Sequence, residues 1–444
     1  MDNPLTRRKF LKTSGAVLAA PAILSSKSPN SRVRLASVGV GGKGWVDLNG
    51  AAYTCEVAAL CDINHSGTSR KGGMSGAREE WAKANVYADW REMLEKEKGK
   101  IDAITVSTPD HMHAPVTMTA LKMGIATYTQ KPLTRTVAEA RAITKAAAKA
   151  GVSTQMGNQH HSASNYRALH HIVQSGALGK IKVAHTWSNR PVWPQGIDRP
   201  KGSDPIPKGF NWDLWLGVAP ERPYKKDIYA PFKWRGWYDF GAGALGDMGC
   251  HIIDPVVWSL ELGPAKSVQY AGPKPKPETF PANEVLTYRF PGTRFTAGQE
   301  ITMTWSDGGK KPSPAGSHLP KGLKLPSQGV LLIGEEGTLL TPHGGKLPSL
   351  YPLEKFKDYK MPELPRWNHY DIWVDGVKTG KAPNSNFSYA GPLCETVLLG
   401  VIASRVPNKE LLWNPNELKF SNSEKANSYI REDYRKGWEV EGLG

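Results

Sequence analysis

From Val33 onward the chain alternates short apolar runs rich in β-formers with longer stretches of helical spacing. Val33–Val38 opens the series as a strand, followed by Val57–Cys61, Ile101–Ser107, Ala126–Thr129 and Ser153–Gln155. Between them, Asp89–Lys98, His113–Met123 and the alanine-rich Val137–Lys149 read as helices. Strands separated by helices of this length predict an α/β unit with a parallel, doubly wound sheet. Ligands of such sheets bind beyond the carboxyl ends of the strands. Gly39, Asp62, Thr108, Gln130 and Gln155 stand at those ends.

Beyond residue 156 the pattern changes. A helix is predicted up to Ser175, then a stretch rich in Trp, Pro and Gly that holds Trp187, Trp193, Trp212, Trp215, Trp234 and Trp237. Gly241–His251 opens an apolar helix predicted to run to about Leu260. Val285–Phe290 and Gly329–Leu340 read as strands, Tyr389–Arg405 as a helix with an apolar face, and Ser306–Gln328 as a mobile loop. The expected organisation is a leader and linker over residues 1–30, a first domain over 32–156 and a second over 157–444.

Composition narrows the class. At 444 residues and 39% hydrophobic content the chain is long enough for two or three domains and apolar enough to bury a core. Its net charge of +16 raises the question of nucleic acid. The cations are spread thinly, without a basic–aromatic cluster, zinc finger or helix-turn-helix, so no nucleic-acid partner is expected. No apolar run reaches the roughly 18 residues of a membrane span. The four cysteines show no C-x-x-C spacing and read as free thiols.

The leader reads as an address. Thr6-Arg7-Arg8-Lys9-Phe10-Leu11-Lys12 precedes an uncharged run, Thr13–Ser26, that is too short to span a bilayer. The Arg pair followed by Phe-Leu-Lys resembles a twin-arginine export signal, which implies a periplasmic protein exported already folded. Such a protein should carry its cofactor tightly held.

Two motifs carry the chemistry. The first strand ends in Gly39-Val40-Gly41-Gly42-Lys43-Gly44, a G-x-G-x-x-G fit that opens a helix. Its glycines permit a tight turn, backbone approach to a pyrophosphate and close helix–strand packing. The helix N-terminus then offers free N–H groups to phosphate. Asp62 ends the second strand 18 residues beyond Gly44, where a carboxylate accepts from both ribose hydroxyls and repels a 2′-phosphate, favouring NAD over NADP. The second motif is Asp247 and His251, spaced i, i+4 and so on one helical face. By itself the pair reads equally as a structural hydrogen bond or as functional. A zinc site would need a third protein ligand, and none stands at a telling spacing, so no metal is expected. In the Trp-rich stretch, the flat rings of Trp234 and Trp237 beside Arg235 suit the C–H faces of a sugar.

The strand–GVGGKG turn, Asp62, Ser107-Thr108-Pro109-Asp110-His111-Met112-His113 and Gln130-Lys131-Pro132-Leu133, in this order, resemble the Gfo/Idh/MocA family of glucose–fructose oxidoreductase and inositol dehydrogenase relatives. The resemblance covers residues 32–425 and implies an N-terminal Rossmann domain and a C-terminal α/β domain on an open, largely antiparallel sheet. It implies cofactor contacts from Gly39, Gly41, Gly42, Gly44, Asp62, Thr108, Pro109, His113, Gln130 and Lys131. It makes Lys131, Asp247 and His251 the catalytic set and Asn158 a substrate contact. Where the family usually carries Glu-Lys-Pro, this chain has Gln130, which keeps the hydrogen-bonding shape and loses the charge; Asp110 stands where Asn is common. The expected reaction is oxidation of a secondary alcohol on a sugar, glycoside or cyclitol, with hydride passing to NAD. His251, with a pKa near neutral, would be the base, Asp247 would orient its ring, and Lys131 would hold the oxygen. A homo-oligomer joined through the C-terminal sheet is the expected assembly. Two alternatives stand beside this reading: a redox-neutral, NAD-dependent glycoside hydrolase or lyase working through a keto sugar, and a binding protein that has kept the fold without the chemistry.

Overall fold

A computed structural model describes residues 32–65 and 73–443. The leader and linker of residues 1–30, with the twin-arginine motif, lie outside the described residues. Within Val33–Gly444, the described residues form two sheets.

The first sheet has six parallel strands: β1 (Val33–Val38), β2 (Cys55–Cys61), β3 (Asn85–Tyr87), β4 (Ala103–Val106), β5 (Ala126–Thr129) and β6 (Thr154–Met156). Their order is β3-β2-β1-β4-β5-β6, the doubly wound topology expected, with its switch point between β1 and β4. The crossovers are α1 (Lys43–Ala52), α2 (Met74–Glu80), α3 (Trp90–Lys96), α4 (His113–Lys122) and α5 (Val137–Ala150). Local chemistry sets their ends. Asp89 caps α3 by accepting from Arg91 N at 2.9 Å. Thr136 and Glu139 close a capping box on α5, and Gly151, at φ +66°, ends it. β3 and α2 were not foreseen: β3 is a three-residue edge strand with no fully buried position, too short for its alternation to register.

The second sheet has nine strands. It contains β7 (Ile181–Trp187), β8 (Ser267–Ala271), β9 (Val285–Pro291), β10 (Glu300–Ser306), β11 (Gly329–Gly334), β12 (Thr338–Pro342), β13 (Ser349–Tyr351), β14 (Glu410–Asn414) and β15 (Lys419–Phe420). The order is β13-β12-β11-β7-β10-β9-β8-β14-β15. Every pairing is antiparallel except β7 with β10, so the open, largely antiparallel sheet expected is present.

The helices of this half are α6 (Ser164–Gln174), α7 (Trp212–Leu216), α8 (Gly243–Ile252), α9 (Asp254–Leu260), α10 (Leu353–Phe356), α11 (His369–Thr379), α12 (Phe387–Ala403) and α13 (Glu424–Asn427). α12 lies between α5 and the second sheet and is buried nearly all round, as a helix with apolar residues on every face must be. Its one buried acid, Glu395, accepts from Arg141 Nη2 at 2.9 Å and Trp413 Nε1 at 3.0 Å. α11 returns to the first sheet, where Trp373 and Val374 pack with Leu48 of α1 and Tyr128 of β5.

Three expectations change. The helix expected over 241–260 is two, α8 and α9, broken at Ile253; Pro255 sits in the first turn of α9, where its missing N–H costs nothing. The strand expected over 329–340 is the β11–β12 hairpin turning at Glu335-Glu336-Gly337. The loop 307–328 is mostly exposed but tied down at a few points: Leu319 and Leu325 lie against the Trp187, Leu331 and Ile333 cluster, and Trp187 Nε1 donates to the Pro326 carbonyl at 2.9 Å. No helix among the described residues is long and apolar enough to cross a membrane.

Candidate active site

At the β1 carboxyl end the chain turns through Gly39, at φ +80°, and Gly42, at φ +58°, into α1. A Cβ on Gly39 would stand 2.6 Å from the Ser107 carbonyl oxygen, and one on Gly44 2.0 Å from the Gly39 oxygen. Both contacts are closer than any side chain permits, so the loop is pressed against the end of β4. Gly41 has no such constraint; its Cβ would meet nothing nearer than 3.8 Å. α1 begins without a side-chain cap and without an acid in its first turn, leaving its N–H groups and partial positive charge for an anion. Asp62 follows β2 and accepts from the backbone N–H of Val40 at 2.9 Å and of Asn64 at 3.0 Å. Burial raises its pKa above the usual carboxylate value, and these two amides oppose the rise. The cradle, bare helix end and strand-end acid together fit a dinucleotide.

Past Asp62 the chain is strapped to the second half. His65 N donates to the Gly209 carbonyl at 3.0 Å and Asn211 N to that of Ile63 at 3.0 Å. A cleft of about 970 Å³ opens beside this strap between Ile63, His65, Phe210, Trp212 and Arg435.

At the ends of β4 and β5, Thr108 has a buried hydroxyl with no protein partner. Pro109 opens the short turn Asp110–Met112. His113 is a brace rather than a cofactor contact: its ring nitrogens lie 2.7 Å from the Pro132 oxygen and 2.9 Å from the Thr108 oxygen, joining the two loops. Burial lowers its pKa to about 4, and the two carbonyl acceptors oppose the fall. Asp110 is buried, accepts from Ala242 N at 3.1 Å, and has its pKa pushed up to about 7 by burial.

Gln130 has a partner that sequence spacing could not reveal. Its Nε2 donates to Asp47 Oδ2 at 2.8 Å. Asp47, fully buried on α1, also accepts from Lys43 Nζ at 2.7 Å, Ser107 Oγ at 2.8 Å and Tyr370 OH at 2.9 Å. The negative charge missing from position 130 therefore resides one side chain away. A Glu at 130 would face Asp47 carboxylate to carboxylate, so Gln is the residue that this pocket accepts.

The catalytic candidates converge where β5 meets α8. Lys131 Nζ donates to Asp247 Oδ1 at 2.7 Å and to the Asp247 carbonyl at 2.7 Å. Arg235 Nε lies 3.4 Å from Oδ1, and Arg190 Nε 3.9 Å from Oδ2. Burial alone would raise the Asp247 carboxyl, but Lys131, Arg235 and Arg190 outweigh it and hold its pKa below the usual value. Asp247 thus pairs with Lys131 rather than orienting His251, whose Nδ1 is buried without a partner. The His251 ring sits among other rings, 5.1 Å from His160 and 5.7 Å from His343 between centroids, with His160 and His343 4.2 Å apart. Burial, reinforced by Lys131 and these two neighbours, drives the His251 pKa well below 6.5 rather than near neutral.

Asn158 is fully buried at the end of β6. Ser385 Oγ donates to its Oδ1 at 2.5 Å, and its Nδ2 has no partner. Thr108 Oγ1, Asn158 Nδ2, His160 Nδ1 and His251 Nδ1 are buried polar atoms without protein partners.

The tryptophans expected as sugar platforms are core. Trp237 is 1% exposed and packs with Trp215, Tyr229 and Phe240. Trp234 is 5% exposed, and its ring carries the Arg235 guanidinium at 4.2 Å. Of the three residues expected there, Arg235 alone turns a polar group to the site. Arg190, His343 and Asp47 carry no signal of their own in the sequence, and His160 stands beside Asn158 after the last strand of the first sheet without a spacing that assigns it a role. Among the described residues no group of His, Cys, Asp and Glu is placed to hold a metal ion.

Residues 33–158 match the NAD-binding Rossmann fold of the oxidoreductase family Gfo/Idh/MocA, and residues 163–440 match that family's C-terminal alpha/beta domain. A D-glucoside 3-dehydrogenase of Escherichia coli is 29% identical over 250 residues, 55% of this chain and 59% of that protein. An inositol 2-dehydrogenase of Rubrobacter xylanophilus is 25% identical over 162 residues, 36% of this chain and 45% of that protein. The matched stretches thus span about half the length of these relatives. The WlbA dehydrogenase of Bordetella pertussis, solved with NADH and UDP-GlcNAcA, superposes with a TM-score of 0.59 at 16% identity, covering 86% of this chain and 99% of that one.

Proposed function

The chain belongs to the Gfo/Idh/MocA oxidoreductase family, with an NAD-binding Rossmann domain, and from that premise we propose that it oxidises a secondary alcohol of a sugar, glycoside or cyclitol. The carrying observation is the meeting of Lys131 and Asp247 at 2.7 Å beside the unpartnered, buried Nδ1 of His251. Relatives named for glucosides and inositol support the substrate class. Bound NAD supplies the hydride acceptor. Gly39, Gly42 and Gly44 with the α1 N-terminus would hold its phosphates, Asp62 its adenosine ribose, and Thr108 and Gln130 the nicotinamide half.

Neutral His251 takes the hydroxyl proton as hydride leaves the same carbon. Lys131 donates to the substrate oxygen and stabilises the charge that develops there. Asp247 keeps the Lys131 ammonium aimed at that point. The His251 ring itself is buried, and the half-buried rings of His160 and His343 stand beside it.

The test is product mass after incubation with NAD and a panel of glycosides and cyclitols. A keto sugar two hydrogens lighter than its parent, formed with reduced nicotinamide, is expected. A cleaved glycoside without net reduction would instead identify the hydrolase chemistry.

Export belongs to the same reading. Arg7 and Arg8 before the uncharged Thr13–Ser26 run support twin-arginine transport of a folded protein with NAD tightly held. Fused to a reporter that folds in the cytoplasm, residues 1–30 should deliver it to the periplasm, and Arg7→Lys with Arg8→Lys should stop delivery. Assembly through the second sheet is proposed as well: the row Gln269, Thr287, Thr304 and His185 crosses β8, β9, β10 and β7 on the face away from the α12 core. The mass of the purified protein in solution tests it.

A further inference from the structure

The residues around Asp247 do not balance in charge. Lys131, Arg235 and Arg190 all approach its one carboxylate, at 2.7, 3.4 and 3.9 Å. The next acid, Asp110, is buried, accepts from the Ala242 amide at 3.1 Å and lies within the field of Arg235 and Lys131, but burial pushes its pKa up to about 7 and so leaves it only partly charged. The nearby rings of His160, His251 and His343 add no negative charge. Three cations therefore face Asp247 and a partly ionised Asp110, an excess of between one and two positive charges.

The two arginines are the unspent part. Lys131 is 12% exposed and engaged twice by Asp247. The Arg235 side chain is 20% exposed and that of Arg190 28%, so both reach the open side of the cluster. Their other contacts are neutral: Arg235 Nη1 donates to the Phe232 carbonyl at 3.1 Å, and Arg190 Nη1 to Asn189 Oδ1 at 2.7 Å. Arg235 also lies over the Trp234 ring, its guanidinium carbon 4.2 Å from the ring centroid, which restrains the side chain. A neutral polyol would leave these guanidinium groups uncompensated in a half-buried pocket, a costly arrangement. An anion with two coplanar oxygens fits a guanidinium fork, with shorter and stronger hydrogen bonds than a hydroxyl makes.

We propose that the substrate is an anionic sugar, whose carboxylate or sulfate is clasped by Arg190 and Arg235 while its reacting carbon lies between Lys131 and His251. The inference rests on the sugar-oxidising reading and narrows it. It makes Arg190 a specificity residue that acts by binding, with no part in proton transfer.

The experiment uses the full chain loaded with NAD and records tryptophan fluorescence and calorimetry during titration with three probes: methyl β-D-glucuronide, glucose 6-sulfate and neutral methyl β-D-glucoside. One or both anionic probes should bind about tenfold or more tighter than the neutral one, since each charge-assisted contact contributes that order. Which of the two binds better separates carboxylate from sulfate. The preference should collapse in Arg190→Met, survive in part in Arg190→Lys, and shrink with added salt. Equal binding of all three probes, binding of none, or an unchanged preference in Arg190→Met would each overturn the proposal. Reduced nicotinamide is recorded in the same samples. An anionic probe that binds with the arginine dependence but is never oxidised would uphold the anion site and remove the dehydrogenase reading. A neutral probe that binds equally well and is oxidised would do the reverse.

Discussion

At the cofactor end of the candidate site the walls are backbone, and at the substrate end they are side chains. Gly39 and Gly44 shape the first by what they lack, since a single Cβ at either would collide with a carbonyl. The second is assembled from Lys131 after β5, His160 after β6, Arg190 after β7, Arg235 before α8, Asp247 and His251 on α8, and His343 after β12. A backbone cradle suits a ligand whose phosphates are constant. A side-chain pocket can be rebuilt residue by residue, which suits substrates that differ between relatives. The two ends also differ electrostatically. Asp62 and Asp47 are held by amides, hydroxyls and one lysine, whereas the substrate end gathers three cations about one acid.

Changes at the two ends should separate cleanly, and the largest effect belongs to the substrate end. Lys131→Met or His251→Ala should lower hydride transfer by about 10²–10⁴-fold while NAD stays bound, as removal of a positioned acid or base does. Rapid-mixing absorbance of reduced nicotinamide, with NAD occupancy read by mass after heat release, checks both halves of the statement. Wild-type turnover in His251→Ala would take the ring out of the proton path.

Gln130 tests the fit of charges within the cofactor end. Gln130→Glu puts a second carboxylate against buried Asp47, and NAD affinity should fall by about 10²-fold, the cost of a like-charge pair in low dielectric. Gln130→Glu with Asp47→Asn restores one acid and one amide and should recover most of the affinity. Calorimetric titration of NAD into the four proteins of the cycle decides. Equal losses in the single and double variants would mean that Asp47 plays no part in accepting Gln at position 130.

A smaller effect is expected at the adenosine ribose. Asp62→Ala should weaken NAD by about tenfold and narrow the discrimination against NADP, because the carboxylate that repels a 2′-phosphate is gone. Sugar binding to the NAD-saturated variant should be unchanged, and a shift there would show the ends to be less separate than their construction suggests.

The mildest test is pH. Burial holds the His251 pKa well below 6.5, so its neutral, proton-accepting form persists as pH falls through 6.5 and is lost only at lower pH. kcat/KM at pH 6 should stay close to its value at pH 8, whereas an imidazole titrating at about 6.5 would have lost about three-quarters of its neutral form. A limb centred near 6.5 would place the base elsewhere or show that bound ligands restore its basicity.

What could be read from the sequence was what is local. The strands at 33–38 and 126–129 stand at the expected residues, since an apolar run and its flanking turn are properties of neighbours along the chain. The glycine turn was legible because positive φ and close approach leave a mark on single positions, and the strand-end acid because it lies one crossover away. The i, i+4 spacing put Asp247 and His251 on one helical face, but it could not say that Asp247 turns to Lys131, 116 residues distant in sequence. The same limit hid Asp47 under Gln130 and Arg190 beside Asp247. It also left the Trp-rich stretch open to a surface reading, when Trp212, Trp215, Trp234 and Trp237 form a buried aromatic cluster of their own. Those outcomes depend on how distant elements pack and on which charges burial brings within a few ångströms of each other, and no periodicity along the chain encodes either.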